Sequence, residues 1–244
     1  MSNLNEMFTG IQSTEESKQK SIDAFIAESK ANREQCFSMA NEMALSVGAD
    51  PKVFQSYLDM QSKFPSYSVN NALLVLKQMP QATQLGDLSY WKNQKNYIRR
   101  NELNNKVLIL EPGDEYRRED GSVGTYINAK KVYDISQSKN SRHRETPLND
   151  INSLIMALAN SSPVGFKSIT PEQMPQGYAV MYDKNSDKIY LRNGLDDATK
   201  VFQLTTMEIA HAMMAKDNPH YDRNENHLTA YASSYICLLY TSPS

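Results

Sequence analysis

The spacing of apolar residues changes along this chain, and the change limits the folds that the chain can adopt. Up to about residue 80, apolar residues recur mostly three or four positions apart, in Glu15–Val47 and again after Asp50-Pro51, a pattern that predicts amphipathic helices. Beyond residue 97, short apolar runs are separated by Asn-rich, Pro-Gly and Asp-Gly turns, which indicates antiparallel strands. The sequence therefore predicts an α+β fold in which N-terminal helices pack on a small antiparallel sheet.

Local signals place the elements of this first part. Asp50-Pro51 is typical of a helix N-cap followed by proline at the first helical position. A short buried helix is predicted at Ala72–Leu76, ahead of Pro80, and a capped helical turn at Asp87–Trp91. The predicted strands are Tyr97–Arg99, Lys106–Leu110, Val123–Ile127 and Lys131–Ile135.

A second domain is predicted after a polar linker at Ser136–Asn149. Its predicted elements are a helix at Ile151–Leu158, a hairpin formed by Gly177–Val180 and Lys188–Leu191, and helices at Asp196–Ala215 and Glu225–Tyr240. A chain of 244 residues is long enough for two domains that each bury a core. We expect residues 1–14 to lack regular structure, residues 15–140 to form the first domain and residues 147–244 the second.

Composition excludes several classes of protein. The longest apolar runs are six residues, far short of the roughly 20 that a membrane-spanning helix needs, and the N-terminus lacks the apolar segment of an export signal. Cys36 and Cys237 are far apart and belong to no CxxC pair, which favours buried thiols in a reducing compartment over a disulfide or a thiolate zinc site. The sequence therefore predicts a cytoplasmic protein without a membrane partner.

Charge is distributed unevenly, with a basic middle between two acidic flanks. Residues 63–144 contain 14 Lys and Arg against 8 Asp and Glu, whereas residues 1–62 contain 5 against 9 and residues 145–244 contain 7 against 11. Within the middle, Trp91–Arg100 combines four cations with two aromatic rings. Single-stranded nucleic acid is bound by cations along its phosphates and by ring faces under its bases. The same composition also fits a solvated basic face whose rings belong to the core.

A series of motifs in this part of the chain resembles a known family. The motifs are Phe64–Gln78 (FPSYSVNNALLVLKQ), Pro80–Thr83 (PQAT), the position of Trp91, and Val132–Ser138 (VYDISQS). In order and spacing they are similar to the N-terminal domain of ArdC-type antirestriction proteins and their LtrC-like relatives, over roughly Glu15 to Gln137. The resemblance implies a domain that binds single-stranded DNA, encoded on conjugative plasmids and other mobile elements, where it protects incoming DNA from restriction. Restriction or conjugation proteins are then the implied partners.

The candidate DNA contacts follow from the motifs and from the basic, aromatic stretch. Cations would neutralise phosphates, rings would stack on bases, and amides would bond base edges. The candidates are Tyr67, Asn70, Asn71, Trp91, Lys92, Lys95, Tyr97, Arg99, Arg100, Lys106, Tyr126, Lys131 and Gln137. The sequence departs from the family pattern at Asn101–Lys106, where relatives commonly carry a Gly-Lys-Gly-type turn.

A second candidate site lies at Met207-Glu208-Ile209-Ala210-His211. This segment has the frame of HExxH, in which two His residues on one helix face bind zinc and the intervening Glu acts as general base, but Met207 stands in place of the first His. The thioether is a poor zinc ligand. Glu225 and His227 follow in a segment that resembles the one supplying the acidic ligand in zinc-peptidase-like domains.

The sequence leaves three interpretations open. For the second domain we favour a zincin-like α+β domain that is incomplete and has lost or weakened its metal, so that no cofactor is expected. A zinc peptidase with ligands His211, His227 and Glu225 and with Glu208 as base is the alternative, and a protein-interaction module whose basic face contacts an acidic protein partner is the third. We also expect residues 237–244 to be a translated assembly scar rather than native sequence.

Overall fold

The computed structural model describes residues 2–140 and 150–241, which divide into two compact units. Unit 1 comprises residues 2–57 and 67–140, and unit 2 comprises residues 58–66 and 150–241. The predicted start of the second domain at residue 147 and most of the predicted linker lie outside the described residues. In the described residues, no helix is both long and apolar enough to cross a membrane.

Within the described residues, a capping residue precedes all but the first of the helices of unit 1. They are α1 (Ser2–Ala49), α2 (Pro51–Lys63, shared with unit 2), α3 (Val69–Gln78) and α4 (Leu88–Asn93). Asp50 accepts a hydrogen bond from the N–H of Lys52 at 2.8 Å, and Ser68 and Asp87 cap α3 and α4 in the same way. Helix α1 includes residues 2–14, where the sequence predicted no regular structure.

The sheet of unit 1 contains β1 (Leu85–Gly86), β2 (Val107–Arg117) and β3 (Val123–Asp134), in the antiparallel order β1-β3-β2. The two strands predicted at 123–127 and 131–135 are one strand, because residues 128–130 continue the pairing with β2 without a turn. The strand predicted at Tyr97–Arg99 is wrong: Ile98 forms only an isolated bridge with Ser138, since a 3-10 turn begins at Arg100.

Two side-chain amides of α3 form hydrogen bonds to the backbone of β2 like those of a neighbouring strand. Asn71 donates to the carbonyl of Leu110 and accepts from its N–H, both at 2.8 Å, and Gln78 does the same with Leu108 at 2.9 Å. Cys36 and Ala40 of α1 pack with Leu74 and Leu108 in the core beside these amides. Because each amide satisfies both backbone groups of its partner residue, β2 is held in one register against α3.

Unit 2 combines a mixed sheet with three helices: α5 (Ile151–Ser161), α6 (Ala198–Ala215) and α7 (Arg223–Thr241). Its strands are β4 (Gly165–Ile169), β5 (Val180–Asp183) and β6 (Lys188–Arg192), ordered β4-β6-β5. The predicted hairpin is found as the antiparallel pair β5 and β6, but its first strand begins at Val180, where the prediction ended it. Strand β4, which the sequence did not predict, pairs in parallel with β6. The predicted α+β fold class is thus confirmed.

Residues 237–241 continue α7, and the origin predicted for residues 237–244 stays a prediction.

Candidate nucleic-acid surface and a pocket in unit 2

Two basic segments of unit 1 lie side by side. The N–H of Lys139 donates to the carbonyl of Tyr97 at 2.8 Å, and the N–H of Arg99 donates to the carbonyl of Gln137 at 3.0 Å. The side chain of Asn96 adds bonds to Ser138 Oγ and to the carbonyl of Asn140, both at 2.9 Å. The segments 92–100 and 136–140 therefore present one surface, which we call the basic surface. Its exposed charged and aromatic side chains are Lys92, Lys95, Tyr97, Arg99, Arg100 and Lys139.

The cations of the basic surface are only partly neutralised. Arg99 donates to the carbonyl of Ser136 at 2.8 Å and lies 3.8 Å from a carboxylate oxygen of Glu102. Hydrogen bonds from Asn105 and Gln137 lower the pKa of Glu102, so that it is an anion beside Arg99. Within the described residues, the ammonium and guanidinium groups of the other four cations have no ion-pair partner.

The structure places three of the candidate DNA contacts in the core. Trp91 is 2% exposed, packs with Ile98 and Tyr133, and donates from Nε1 to the carbonyl of Tyr133 at 3.0 Å. Its ring is therefore unavailable for stacking, which corrects the prediction. The buried amides of Asn71 and Gln137 are used by backbone groups rather than left for base edges. All three residues therefore hold the fold together.

The remaining candidates lie in mixed positions. Lys131 pairs with Glu28 of α1 at 2.7 Å, and Lys106 and Tyr67 are half-buried, whereas Asn70 is exposed. Tyr126 is 50% exposed, but it packs on Tyr116 with ring centroids 4.5 Å apart, in the part of the hairpin that carries the acidic residues 114, 115, 119 and 120. Sequence reasoning missed Lys139, although it follows the VYDISQS motif directly.

In unit 2, an open pocket of ≈ 580 Å³ lies beside α6 and the start of α7. The side chains that matter for its chemistry are Arg192, Lys200, Met207, Glu208, Arg223 and His227. The predicted base, Glu208, is completely buried at the pocket wall. Its Oε2 accepts from the N–H of Tyr182 at 2.7 Å and from Arg223 at 2.8 Å, while its Oε1 accepts from the other nitrogen of the same guanidinium. Both carboxylate oxygens are thus occupied.

His211 is buried beside this pair. Its Nδ1 lies 2.6 Å from the hydroxyl of Tyr221, whereas its Nε2 has no hydrogen-bond partner among the described residues. Its ring stacks on that of His227, with centroids 5.8 Å apart and planes 18° from parallel. Burial, and then the charges of Arg223 and His227, lower the pKa of His211 to about 4. The imidazole is therefore neutral at neutral pH.

The residues of this site do not fit a three-ligand metal centre. The thioether of Met207, a poor zinc ligand, stands in place of the first motif histidine. Across residues 2–140 and 150–241, no group of three His, Cys, Asp or Glu side chains could hold a metal ion. The structure thus brings two of the predicted ligands together, but without Glu225 as the third.

Comparison with known proteins identifies the fold. No family model matches the sequence, and no curated protein matches it. The Mn(II)-bound crystal structure of the antirestriction ArdC protein from plasmid R388 matches with a TM-score of 0.50 and 13% identity, over 82% of this chain and 78% of that chain. The fold is similar to that of ArdC. The resemblance predicted from the sequence motifs is confirmed at the level of fold.

The metal-free structure of ArdC also matches, with a TM-score of 0.43 and 12% identity, over 70% of this chain. This chain spans 66% of the length of that structure.

Proposed function

We propose that this chain binds single-stranded DNA through the basic surface of unit 1. The observation that carries the proposal is the alignment of segments 92–100 and 136–140, which sets the exposed residues Tyr97 and Lys139 beside each other in segments that also carry the exposed cations Lys92, Lys95 and Arg100. Tyr97 is 53% exposed. Cations and a ring side by side supply the two interactions that an unpaired strand offers, through its phosphates and its bases.

The expected binding is sequence-tolerant and salt-dependent. Two of the three amides that could have read base edges, Asn71 and Gln137, are bonded to the backbone. The third, Asn70, is exposed outside the basic surface, so contacts to phosphates and ring faces remain there. Each phosphate of a single strand that is neutralised adds about −0.7 to the slope of log K against log salt. The four cations without an ion-pair partner among the described residues therefore predict a slope of about −3.

The proposed context is antirestriction, and it rests on fold likeness to a protein named antirestriction ArdC from plasmid R388. In that context the substrate is DNA entering a cell as a single strand, and restriction or conjugation proteins are the partners. The site of action is then the cytoplasm.

A protein-interaction function is the alternative that the basic surface also favours, because an acidic polypeptide would meet the same cations. A metallopeptidase function has less support, since Glu208 is engaged by Arg223 and the ligand set is incomplete. The Mn(II)-bound ArdC structure shows a metal in that protein. Any metal on this chain would have to bind differently from the predicted set.

Fluorescence anisotropy of labelled oligo-dT tests the proposal. The variant Lys92→Ala/Lys95→Ala/Arg100→Ala removes three cations of the basic surface, and Lys30→Ala/Lys52→Ala/Arg117→Ala removes two Lys and one Arg that are exposed elsewhere. We expect the first variant to bind at least about tenfold more weakly than wild type and the second to bind within about twofold of it. Equal losses in the two variants would contradict a localised site.

Competition with polyglutamate distinguishes single-stranded DNA from an acidic protein as the ligand of the basic surface. If DNA is the ligand, unlabelled oligo-dT displaces the probe at a lower concentration than polyglutamate does when both are counted per negative charge. The reason is that Tyr97 adds stacking that the polypeptide cannot use. Equal displacement at equal charge would favour the protein partner.

A further inference from the structure

The pocket of unit 2 contains more positive than negative charge. Among the described residues, Arg192, Lys200 and Arg223 line it together with a single carboxylate, that of Glu208. We propose that this pocket binds a small oxyanion ligand, with a phosphate monoester preferred to a carboxylate. This inference goes beyond DNA binding, because every residue that it uses lies in unit 2.

The carboxylate of the pocket is neutralised from within the chain. Arg223 contacts both oxygens of Glu208, whose side chain is completely buried, and the N–H of Tyr182 adds a third bond. A buried carboxylate needs a cation or several donors nearby, and this one has both. Glu208 therefore has no need of an added cation, and the pocket does not attract one on its account.

The two other cations of the pocket have no carboxylate of their own. Within the described residues, neither the guanidinium of Arg192 nor the ammonium of Lys200 has an ion-pair or hydrogen-bond partner. The carboxylate closest to Lys200 in sequence, that of Asp197, caps α6 by accepting from the N–H of Lys200 at 3.0 Å. Since Arg192 and Lys200 line one pocket, an anion placed there meets two uncompensated positive charges.

Backbone pairing fixes the position of Arg192. It is the last residue of β6, its N–H donates to the carbonyl of Ala179 at 2.9 Å, and it pairs with Ile169 of β4. Its side chain therefore starts from a rigid strand rather than from a loop. A guanidinium held in this way can bind an oxyanion through two parallel N–H groups.

The walls of the pocket suit an organic group attached to the anion. Leu204, Met207 and the ring of Tyr178 line it, and the guanidinium of Arg223 lies 5.3 Å from the centre of that ring. Concave sites that combine apolar walls with a few charged groups are typical of small-ligand binding. A dianionic phosphate monoester with an apolar body matches both features, whereas a monocarboxylate would leave one of the two cations unpaired.

Isothermal titration calorimetry with the full chain tests the proposal, using inorganic phosphate, phenyl phosphate and benzoate at constant ionic strength. The pocket variant is Arg192→Ala/Lys200→Ala. The control variant, Lys167→Ala/Lys216→Ala, removes two exposed cations of unit 2 that do not line the pocket. We expect saturable binding of phenyl phosphate that weakens at least about tenfold in the pocket variant and changes by less than about twofold in the control.

Ligand ranking and a second variant complete the test. We expect phenyl phosphate to bind more tightly than inorganic phosphate and than benzoate; equal or tighter binding of benzoate would overturn the choice of a phosphate. Glu208→Gln keeps an acceptor for Tyr182 but frees the charge of Arg223, so we expect it to tighten phenyl phosphate binding several-fold. Absence of saturable binding to wild type, or equal losses in the pocket and control variants, would overturn the proposal.

Discussion

The N–H of Lys139 donates a hydrogen bond to the carbonyl of Tyr97 at 2.8 Å. This bond joins segments that are about 40 residues apart in the sequence, and it places the exposed residues Tyr97 and Lys139 next to each other. Together with the bond from the N–H of Arg99 to the carbonyl of Gln137, it gives the basic stretch a defined partner segment. The DNA-binding proposal depends on this pairing more than on the total charge of the region.

Tyr97 is expected to supply the stacking interaction. Tyr97→Ala should weaken oligo-dT binding by about 1–3 kcal/mol, because one ring face is lost from the basic surface, whereas Tyr97→Phe should bind like wild type. Tyr126→Ala is the matched control, since that ring is exposed to a similar degree on the acidic hairpin. Anisotropy titration measures all three, and equal losses for Tyr97→Ala and Tyr126→Ala would count against the assignment.

Trp91 is expected to affect stability and not DNA binding. Trp91→Phe removes the Nε1 bond to Tyr133 and part of a buried side chain, which should lower the free energy of unfolding by ~1–3 kcal/mol. Urea denaturation measures this loss. Oligo-dT affinity should stay the same while the variant is folded, and wild-type emission from this single tryptophan should change little on DNA binding. Strong quenching by the oligonucleotide would place the ring at the interface instead.

The pair of Glu208 and Arg223 is expected to be strongly coupled. Arg223→Ala leaves a completely buried carboxylate with only the N–H of Tyr182 as donor, and it should destabilise the protein by ~3–5 kcal/mol. Replacing both residues, in Glu208→Leu/Arg223→Met, should recover much of that loss because no buried charge is left unpaired. Urea denaturation of the single and double variants forms the measurement, and additive losses would show that the two residues do not interact.

Zinc binding is expected to depend on residue 207. Met207→His would place a second imidazole on α6, four residues before His211. The Nε2 of His211 has no hydrogen-bond partner among the described residues. Two His at this spacing on one helix face can share a zinc ion. We expect Met207→His to bind zinc at least about tenfold more tightly than wild type or Met207→Ala, as measured by competition with a chromophoric chelator. Equal affinities in the three proteins would show that residue 207 does not face the same point as His211.

Much of the architecture could be predicted from local sequence signals. The caps at Asp50, Ser68 and Asp87 act within three residues of the helix that they begin, so the sequence shows them directly. Strand β4 could not be predicted in this way, because its parallel pairing with β6 depends on a distant segment and carries no turn signal.

For the site residues, too, local sequence signals do not show the contacts between distant segments. Trp91 lies among cations in the sequence, and an aromatic ring in that setting fits a surface or a core equally well until its neighbours are known. The bond between Arg223 and Glu208 joins two helices, and nothing in either local pattern indicates it. Contacts between distant residues, such as this one, decide whether the Glu of an HExxH-like segment can act as a general base.

The salt dependence of oligo-dT binding tests the DNA-binding account most directly. Anisotropy titrations at several salt concentrations measure the slope of log K against log salt. The wild-type slope should be steeper by about 2 than the slope of Lys92→Ala/Lys95→Ala/Arg100→Ala, because that variant loses three phosphate contacts. Lys30→Ala/Lys52→Ala/Arg117→Ala should keep the wild-type slope. A slope that is the same in wild type and in the variant of the basic surface would contradict the account.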